Sequence, residues 1–273
     1  MIENKKPRTL VNLIGGPLLL SIIYFGGSIF TLFIFLIIFI STYEFNNMIK
    51  VKSLSINPPM FYCIYVIFLI HYLYIPIPIE IFNLFLFLSL LGIILSALFK
   101  TKVNRLQNML YSLLAFFWIG LLFQGAIYLR NLPEIGLNIV LCMFLSVWMT
   151  DSFAYIFGSK FGKAKILPAI SPNKTWVGCI TGYISCTTFI YLLYKFNYFT
   201  NSTYVFSLKD VMVLGVISGI FGQLGDFFES YLKRLFFIKD SGTLLQGHGG
   251  FLDRFDSLLF VVPMFTYYYY LIL

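Results

Sequence analysis

From Leu10 to Ile40 the sequence runs almost unbroken through apolar side chains, too long a run for one buried helix of a soluble domain. A helix that crosses a bilayer needs about 20 predominantly apolar residues, because the hydrocarbon is roughly 30 Å thick and each residue adds roughly 1.5 Å. Stretches of this kind recur near 9–25, 27–43, 57–77, 81–98, 108–128, 135–157, 175–194, 211–227 and 257–273. Gly26 and Gly27 divide the first long run, and the PIPIE segment at 76–80 separates the third stretch from the fourth. The pattern predicts an all-α, polytopic integral membrane protein with about nine transmembrane helices. A charged fraction of 11% agrees, since soluble domains carry about 25%. The 273 residues leave no room for a separate soluble domain. The expected division is a group of about five spans over 1–130 and a second region over 131–273 that carries the chemistry.

The basic start, MIENKKPR, resembles the beginning of a signal peptide, but the apolar run that follows has no small-residue cleavage site and reads as a retained hairpin. With the amino terminus in the cytoplasm, most lysines and arginines fall on that side, and only Arg130, Lys195 and Lys209 fall opposite. Such a bias is the topogenic pattern of membrane proteins. The net charge of +8 is therefore spread over many loops, which argues against a nucleic-acid surface. Cys63, Cys142, Cys179 and Cys186 all lie in apolar runs without metal-ligand spacing and read as inert thiols.

Chemistry is confined to two places. In the first, Asp226, Glu229, Lys233, Arg234, Lys239, Asp240, Asp253, Arg254 and Asp256 fall within 31 residues of an otherwise apolar chain. Ionisable residues at membrane depth are costly unless they are paired, bind metal or face water, so they mark function by default. If GDFFESYLKR at 225–234 is helical, Asp226, Glu229, Ser230 and Lys233 share one face; a surface Glu229–Lys233 pair is the plainer alternative. In HGGFLDRFD at 248–256, Gly249 and Gly250 let backbone amides turn toward an anion beside His248. Asp253 and Asp256, with Asp226, suit a hard divalent cation that also takes phosphate oxygens, which points to Mg²⁺. Zinc fits poorly, because the segment has one histidine and no cysteine.

The second place is WMTDSFAYIFGSKFGKAKILPAISPNKTWVG at 148–178, where Asp151 precedes Lys160, Lys163, Lys165 and Lys174. Lysine is a mobile point charge that neutralises phosphate. Lys160, Lys163 and Lys165 are equally explained as topogenic loop charges, whereas Lys174 sits in SPNKT beside Ser171 and a stiffening proline. GSKFGK imitates a Walker loop but is one residue short and has Ala164 where a magnesium-binding hydroxyl belongs. Glycines, lysines and carboxylates at one membrane surface suit phosphoryl or nucleotidyl transfer, which needs alignment and charge stabilisation more than covalent chemistry.

The segment SYLKRLFFIKDSGTLLQGHGGFLDRFD at 230–256 closely resembles the signature of the phosphatidate cytidylyltransferases, integral membrane enzymes of phospholipid synthesis. Gly225, Asp226, Glu229 and Ser230 upstream, and SPNKTWVG at 171–178, resemble the same family. Two positions depart from it: Gln246 stands where proline is usual, and Val177 where an acidic residue is common. The resemblance implies transfer of a cytidylyl group from CTP to phosphatidic acid, giving CDP-diacylglycerol and pyrophosphate. It implies Mg²⁺ on Asp226, Asp253 and Asp256, with a monovalent cation as a further candidate. Lys174, Lys233, Arg234 and Lys239 would hold the triphosphate and the lipid headgroup, and His248, Gly249 and Gly250 would shape the phosphate loop. Ser171, Ser230 and Arg254 would join the substrate contacts, with Asp151 and Asp240 orienting lysines. The resemblance further implies a homodimer in the bacterial inner membrane, with the active site on the cytoplasmic side.

A transporter is the competing class, but the charges gather in one region and no paired broken helices appear. The related family that exchanges CDP for an alcohol carries a DGxxAR motif, absent here. His71 reads as a satisfied core or interfacial residue, Glu44 as a helix-end carboxylate, with reach to the site from a distance as the alternative, and the aromatic residues, including 267–270, as mostly lipid-facing or interfacial.

Overall fold

The structure, a computed structural model, describes residues 6–74, 77–100, 104–199, 205–244 and 249–272. Each apolar stretch of the sequence contains a helix. In chain order these are α1 (Lys6–Phe25), α2 (Gly27–Lys50), α3 (Pro58–Leu73), α4 (Ile79–Lys100), α5 (Arg105–Arg130), α6 (Gly136–Phe161), α7 (Trp176–Lys195), α8 (Leu208–Leu235), the single turn α9 (Leu252–Phe255) and α10 (Leu258–Ile272). Apart from one isolated bridge between Lys165 and Thr175, the described residues are helix, turn and loop. This is the outcome lipid imposes, because a helix satisfies its own backbone where no water can. Six of the helices, α2 and α4 to α8, are long and apolar enough to cross a membrane, while Ile14–Phe25, Pro58–Leu73 and Leu258–Ile272 are shorter apolar helices. By length and composition the structure thus carries six candidate spans where nine were expected.

Helix ends follow the local sequence. Pro58 opens α3, where its missing amide costs nothing, and Ser207 caps α8 in a reciprocal pairing with Asp210. Within α5 and α8 the helix widens to a π-type turn at Ala115–Leu121 and Ile217–Phe221. The second widened turn holds Ser218 against Ser146 of α6, with their hydroxyl oxygens 2.7 Å apart. Helices α6 and α7 meet through small residues: a side chain at Gly178 would strike the Ala154 carbonyl, and one at Gly182 the Thr150 carbonyl. Such contacts let helices associate in lipid, where the hydrophobic effect offers no drive.

The largest fully buried side chains are all phenylalanine or tyrosine, among them Phe30, Phe45, Tyr65, Phe116, Phe144 and Tyr269. A part of the aromatic residues therefore builds the protein's own core, beside the exposed ones that the sequence led one to expect; in the 267–270 run Tyr267 and Tyr270 are exposed and Tyr269 is buried. His71 accepts a hydrogen bond from the Ile77 amide (3.0 Å) and packs on Phe82, as a satisfied histidine should.

Between α1 and α2 the chain turns at Gly26, with φ +63° and ψ −149°, a region open essentially only to glycine. Arg130 at the end of α5 fills the turn, donating to the carbonyls of Ile23 (2.7 Å) and Tyr24 (2.8 Å), and a methyl group at Gly26 would collide with its guanidinium. Those carbonyls belong to the last turn of α1, where no intrahelical amide reaches them. Gly26→Ala is expected to lower stability by about 1–3 kcal/mol, read as an earlier thermal unfolding midpoint in detergent.

Candidate functional site

At the end of the bundle that carries the 161–176 and 235–252 connections, a cavity of about 1140 Å³ lies between α1, α2, α6, α7, α8 and the start of α10. One wall is apolar, built by Leu18, Leu19 and Ile22 of α1, Phe33 of α2, and Phe144 and Trp148 of α6. The other end is ionic, with Asp151, Lys174, Asp226, Asp253, Arg254 and Asp256 all facing the same space. A cavity greasy along one side and charged at its end is shaped for an amphiphile.

The charged end is built by three elements. Helix α6 brings Asp151, and α8 brings Asp226 one turn beyond its widened segment. The turn α9 and the residue after it bring Asp253 and Asp256. Lys174 reaches in from the 162–175 connection to form an ion pair with Asp226 and lies 4.1 Å from the centre of the Phe227 ring. Thr175 ends that connection as the cap of α7, its hydroxyl accepting the Gly178 amide at 3.2 Å. Its side chain is surrounded by Gly158, Gly162 and Gly178, so the lysine before it emerges from a rigid corner. Ser230 donates to Asp226 (3.3 Å).

Asp253 accepts hydrogen bonds from Lys233 Nζ (2.7 Å), the Ser241 amide (3.0 Å) and the Gly250 amide (2.7 Å). Burial works against its charge, but its interactions with Glu229, Lys233 and the Gly250 amide outweigh that and hold the carboxyl below the usual aspartate range. Asp256 is placed differently. It accepts the adjacent Ser257 amide (2.6 Å), and burial, then Asp226, then Asp151 push it well above the ordinary aspartate range. Lys233 also pairs with Glu229, which is fully buried. The pair is therefore internal, in place of the solvated surface pair that the spacing alone allowed.

The remaining residues singled out in the sequence divide clearly. Gly249 (φ +79°) and Gly250 border the site, and a side chain at Gly249 would meet the Asp253 carboxylate. Arg234 is exposed and ties two turns together, donating to the carbonyls of Ile170 (3.2 Å) and Ile238 (3.1 Å). Ser171 stands in the 167–174 turn behind Lys174, with its amide donating to Leu167 (2.9 Å). Lys239 and Asp240 are exposed and do not line the cavity. His248 and Gln246 lie outside the described residues.

Glu44 is the residue that sequence reasoning undervalued. It is 2% exposed near the end of α2 and accepts hydrogen bonds from the amides of Phe251 (3.0 Å) and Leu252 (2.8 Å) and from the Ser241 hydroxyl (3.3 Å). A lone carboxylate in a helix as apolar as α2 was the available signal.

Among the described residues no three His, Cys, Asp or Glu side chains converge as a ready metal cage. Mg²⁺ does not require such a cage, since it takes one or two carboxylates and completes its shell with water and substrate phosphates. Asp226 and Asp256 fit such a pair, because the crowding of carboxylates around Asp256 is relieved by a bound cation.

These features define a class: helical membrane proteins that treat an anionic amphiphile at an ionic, carboxylate-bearing cavity. Residues 6–272 match the cytidylyltransferase family. Proteins described as phosphatidate cytidylyltransferase from Staphylococcus saprophyticus (37% identical), Staphylococcus haemolyticus (36%) and Staphylococcus aureus (35%) align over 95% of this chain and 96% of their own length. The chain belongs to the cytidylyltransferase family.

Proposed function

We propose that the protein transfers the cytidylyl group of CTP to phosphatidic acid, releasing pyrophosphate and leaving CDP-diacylglycerol in the membrane. One observation carries the reading: a single cavity joins an apolar wall to a cluster of carboxylates, Lys174 and Arg254. Acyl chains lie along Leu18, Ile22 and Trp148, while the lipid phosphate and the triphosphate meet at the charged end. The names of the staphylococcal relatives support the same chemistry.

In the reaction a lipid phosphate oxygen forms a bond to the α-phosphorus of CTP, and the bond from that phosphorus to the bridging oxygen of the β-phosphate breaks, so pyrophosphate departs with the electron pair. The lipid phosphate is already an anion, and no side chain has to remove a proton to make it a nucleophile. Lys174 and Arg254 offset phosphate charge and align the two reactants, which accounts for much of what such a transfer requires. Asp226 and Asp256 would hold Mg²⁺, with Asp253 as the third aspartate of the expected set, Asp151 beside them and a monovalent cation as a further candidate. When bound, Mg²⁺ neutralises charge on the triphosphate and on the departing pyrophosphate. Asp253 keeps the glycine loop in place through Ser241 and Gly250, and Lys233 holds Asp253. Arg234 steadies the turn before Lys174. Gly249 and Gly250 border the charged end beside Asp253, and the family resemblance keeps Ser171, Ser230, Lys239, Asp240 and His248 as further candidates for contacts to the substrates.

The reading places the reacting region in 131–273, with 1–130 supplying α1 as a cavity wall and Glu44 as a support. It takes all nine apolar helices as spans and sets the amino terminus and the active site on the cytoplasmic side of a bacterial inner membrane, on the distribution of lysine and arginine. It further takes the working form as a homodimer.

Purified protein in phosphatidate-containing micelles with CTP and Mg²⁺ is expected to form pyrophosphate and CDP-diacylglycerol in equal amounts. EDTA should stop the reaction and excess Mg²⁺ restore it. Intact CTP after prolonged incubation, with the lipid unchanged, would overturn the proposal, and movement of solute across vesicles without either product would favour a transporter.

A further inference from the structure

We propose that Glu44 is a positioning residue for the nucleotide: from behind the glycine loop it fixes the backbone that receives the triphosphate. The inference rests on the reading of the cavity as a CTP site. Glu44 does not line the cavity. It lies under the loop, and both of its oxygens are used: Oε1 accepts the Phe251 amide, and Oε2 accepts the Leu252 amide and the Ser241 hydroxyl.

Ser241 is the shared element. Its hydroxyl goes to Glu44 (3.3 Å) and its amide to Asp253 (3.0 Å), while Gly250 donates its own amide to Asp253 (2.7 Å). Two carboxylates thus tie Ser241 to residues 250–252, one from α9 and one from a helix some two hundred residues away in sequence, since the Glu44 contacts span 197 to 208 positions. The packing is exact enough to exclude side chains, because a methyl group at Gly242 or Gly250 would collide with the Glu44 carboxylate. Among the described residues no lysine or arginine is paired with Glu44 by a salt bridge. Its charge is met by backbone amides and one hydroxyl, an arrangement that orders the donors more than it neutralises an ion.

The loop that Glu44 holds leads directly into Asp253, Arg254 and Asp256. The apolar wall belongs to other elements, α1 and α6, which Glu44 does not touch through any of its hydrogen bonds. Loosening Glu44 should therefore disturb the triphosphate and spare the acyl chains. Glutamine at this position keeps the size but offers one acceptor oxygen in place of two and turns an NH₂ group toward amides that donate.

The test compares wild type, Glu44→Gln and Ser241→Ala. Binding of Mg–CTP is measured by calorimetry, and steady-state KM is measured separately for CTP and for phosphatidate. Glu44→Gln is expected to raise both the Kd and the KM for CTP by at least about tenfold, with the KM for phosphatidate within about twofold. Ser241→Ala, which removes one donor and keeps the amide to Asp253, should shift CTP binding in the same direction by less. An unchanged CTP Kd in Glu44→Gln, or equal rises in KM for both substrates, would overturn the inference. Should Glu44→Gln fail to fold, Ser241→Ala decides alone, and an unchanged CTP Kd there overturns it. Wild type that binds Mg–CTP without turning it over would defeat the proposed reaction while the Kd comparison still judged Glu44; wild type that binds no CTP would defeat both.

Discussion

Asp256→Asn is expected to reduce turnover by on the order of 10³-fold while the protein folds as well as wild type or better. The two halves of that result have one cause. Asp256 is half-buried at the cavity beside Asp226 and Asp151, and desolvation, then these two carboxylates, push its carboxyl well above the ordinary aspartate range. The amide replaces a carboxyl whose ionisation this setting already opposes, so the resting fold loses little, and it takes away an oxygen that the divalent cation requires. A residue kept for stability would show the opposite pattern, with a lower unfolding midpoint and activity that tracks the folded fraction. The comparison needs the thermal midpoint in detergent and kcat with saturating CTP and phosphatidate. Near-normal kcat would remove Asp256 from the metal site.

Lys233→Met is expected to be the most damaging single change to stability, by about 3–5 kcal/mol. One ammonium group serves both Glu229, which is fully buried, and Asp253, at 2.7 Å. Deleting it leaves two carboxylates facing each other away from water, and the cost comes mainly from that uncompensated charge. The attribution can be checked by a second substitution. Glu229→Gln in the Lys233→Met background should recover part of the loss, because one of the stranded charges is gone. If the double variant unfolds no later than the single one, the cost lies elsewhere in α8.

The helices were legible because lipid leaves the backbone few choices. Every apolar stretch holds a helix, and Gly26 divides α1 from α2 as the sequence suggests. Which helices are long enough to span was less visible, since Pro58–Leu73 and Leu258–Ile272 are shorter than the usual span and apolar runs do not mark helix ends closely. The burial of Tyr65, Phe116 and Tyr269 was equally hidden, because phenylalanine and tyrosine suit both a protein core and an acyl-chain surface. In the site, Asp151, Lys174, Asp226, Asp253, Arg254 and Asp256 stood out as charges in an apolar chain, and the fold brings all of them to one cavity. What composition could not supply was direction. Asp253 spends its oxygens on Lys233, Ser241 and Gly250, and Arg234 turns outward to bind carbonyls. Glu44, far away in sequence, proves to be the support of the loop, a tertiary pairing that no local spacing announces.

The central claim is that Asp226 and Asp256 gather a divalent cation and the nucleotide at the charged end of the cavity. The direct measurement is a crystal structure with CTP and Mn²⁺ in place of Mg²⁺, with the metal located by its anomalous scattering. A peak between Asp226 and Asp256, with the triphosphate oxygens completing its shell beside Lys174, is the expected result. A peak away from both aspartates, or a triphosphate bound outside the cavity, would contradict it.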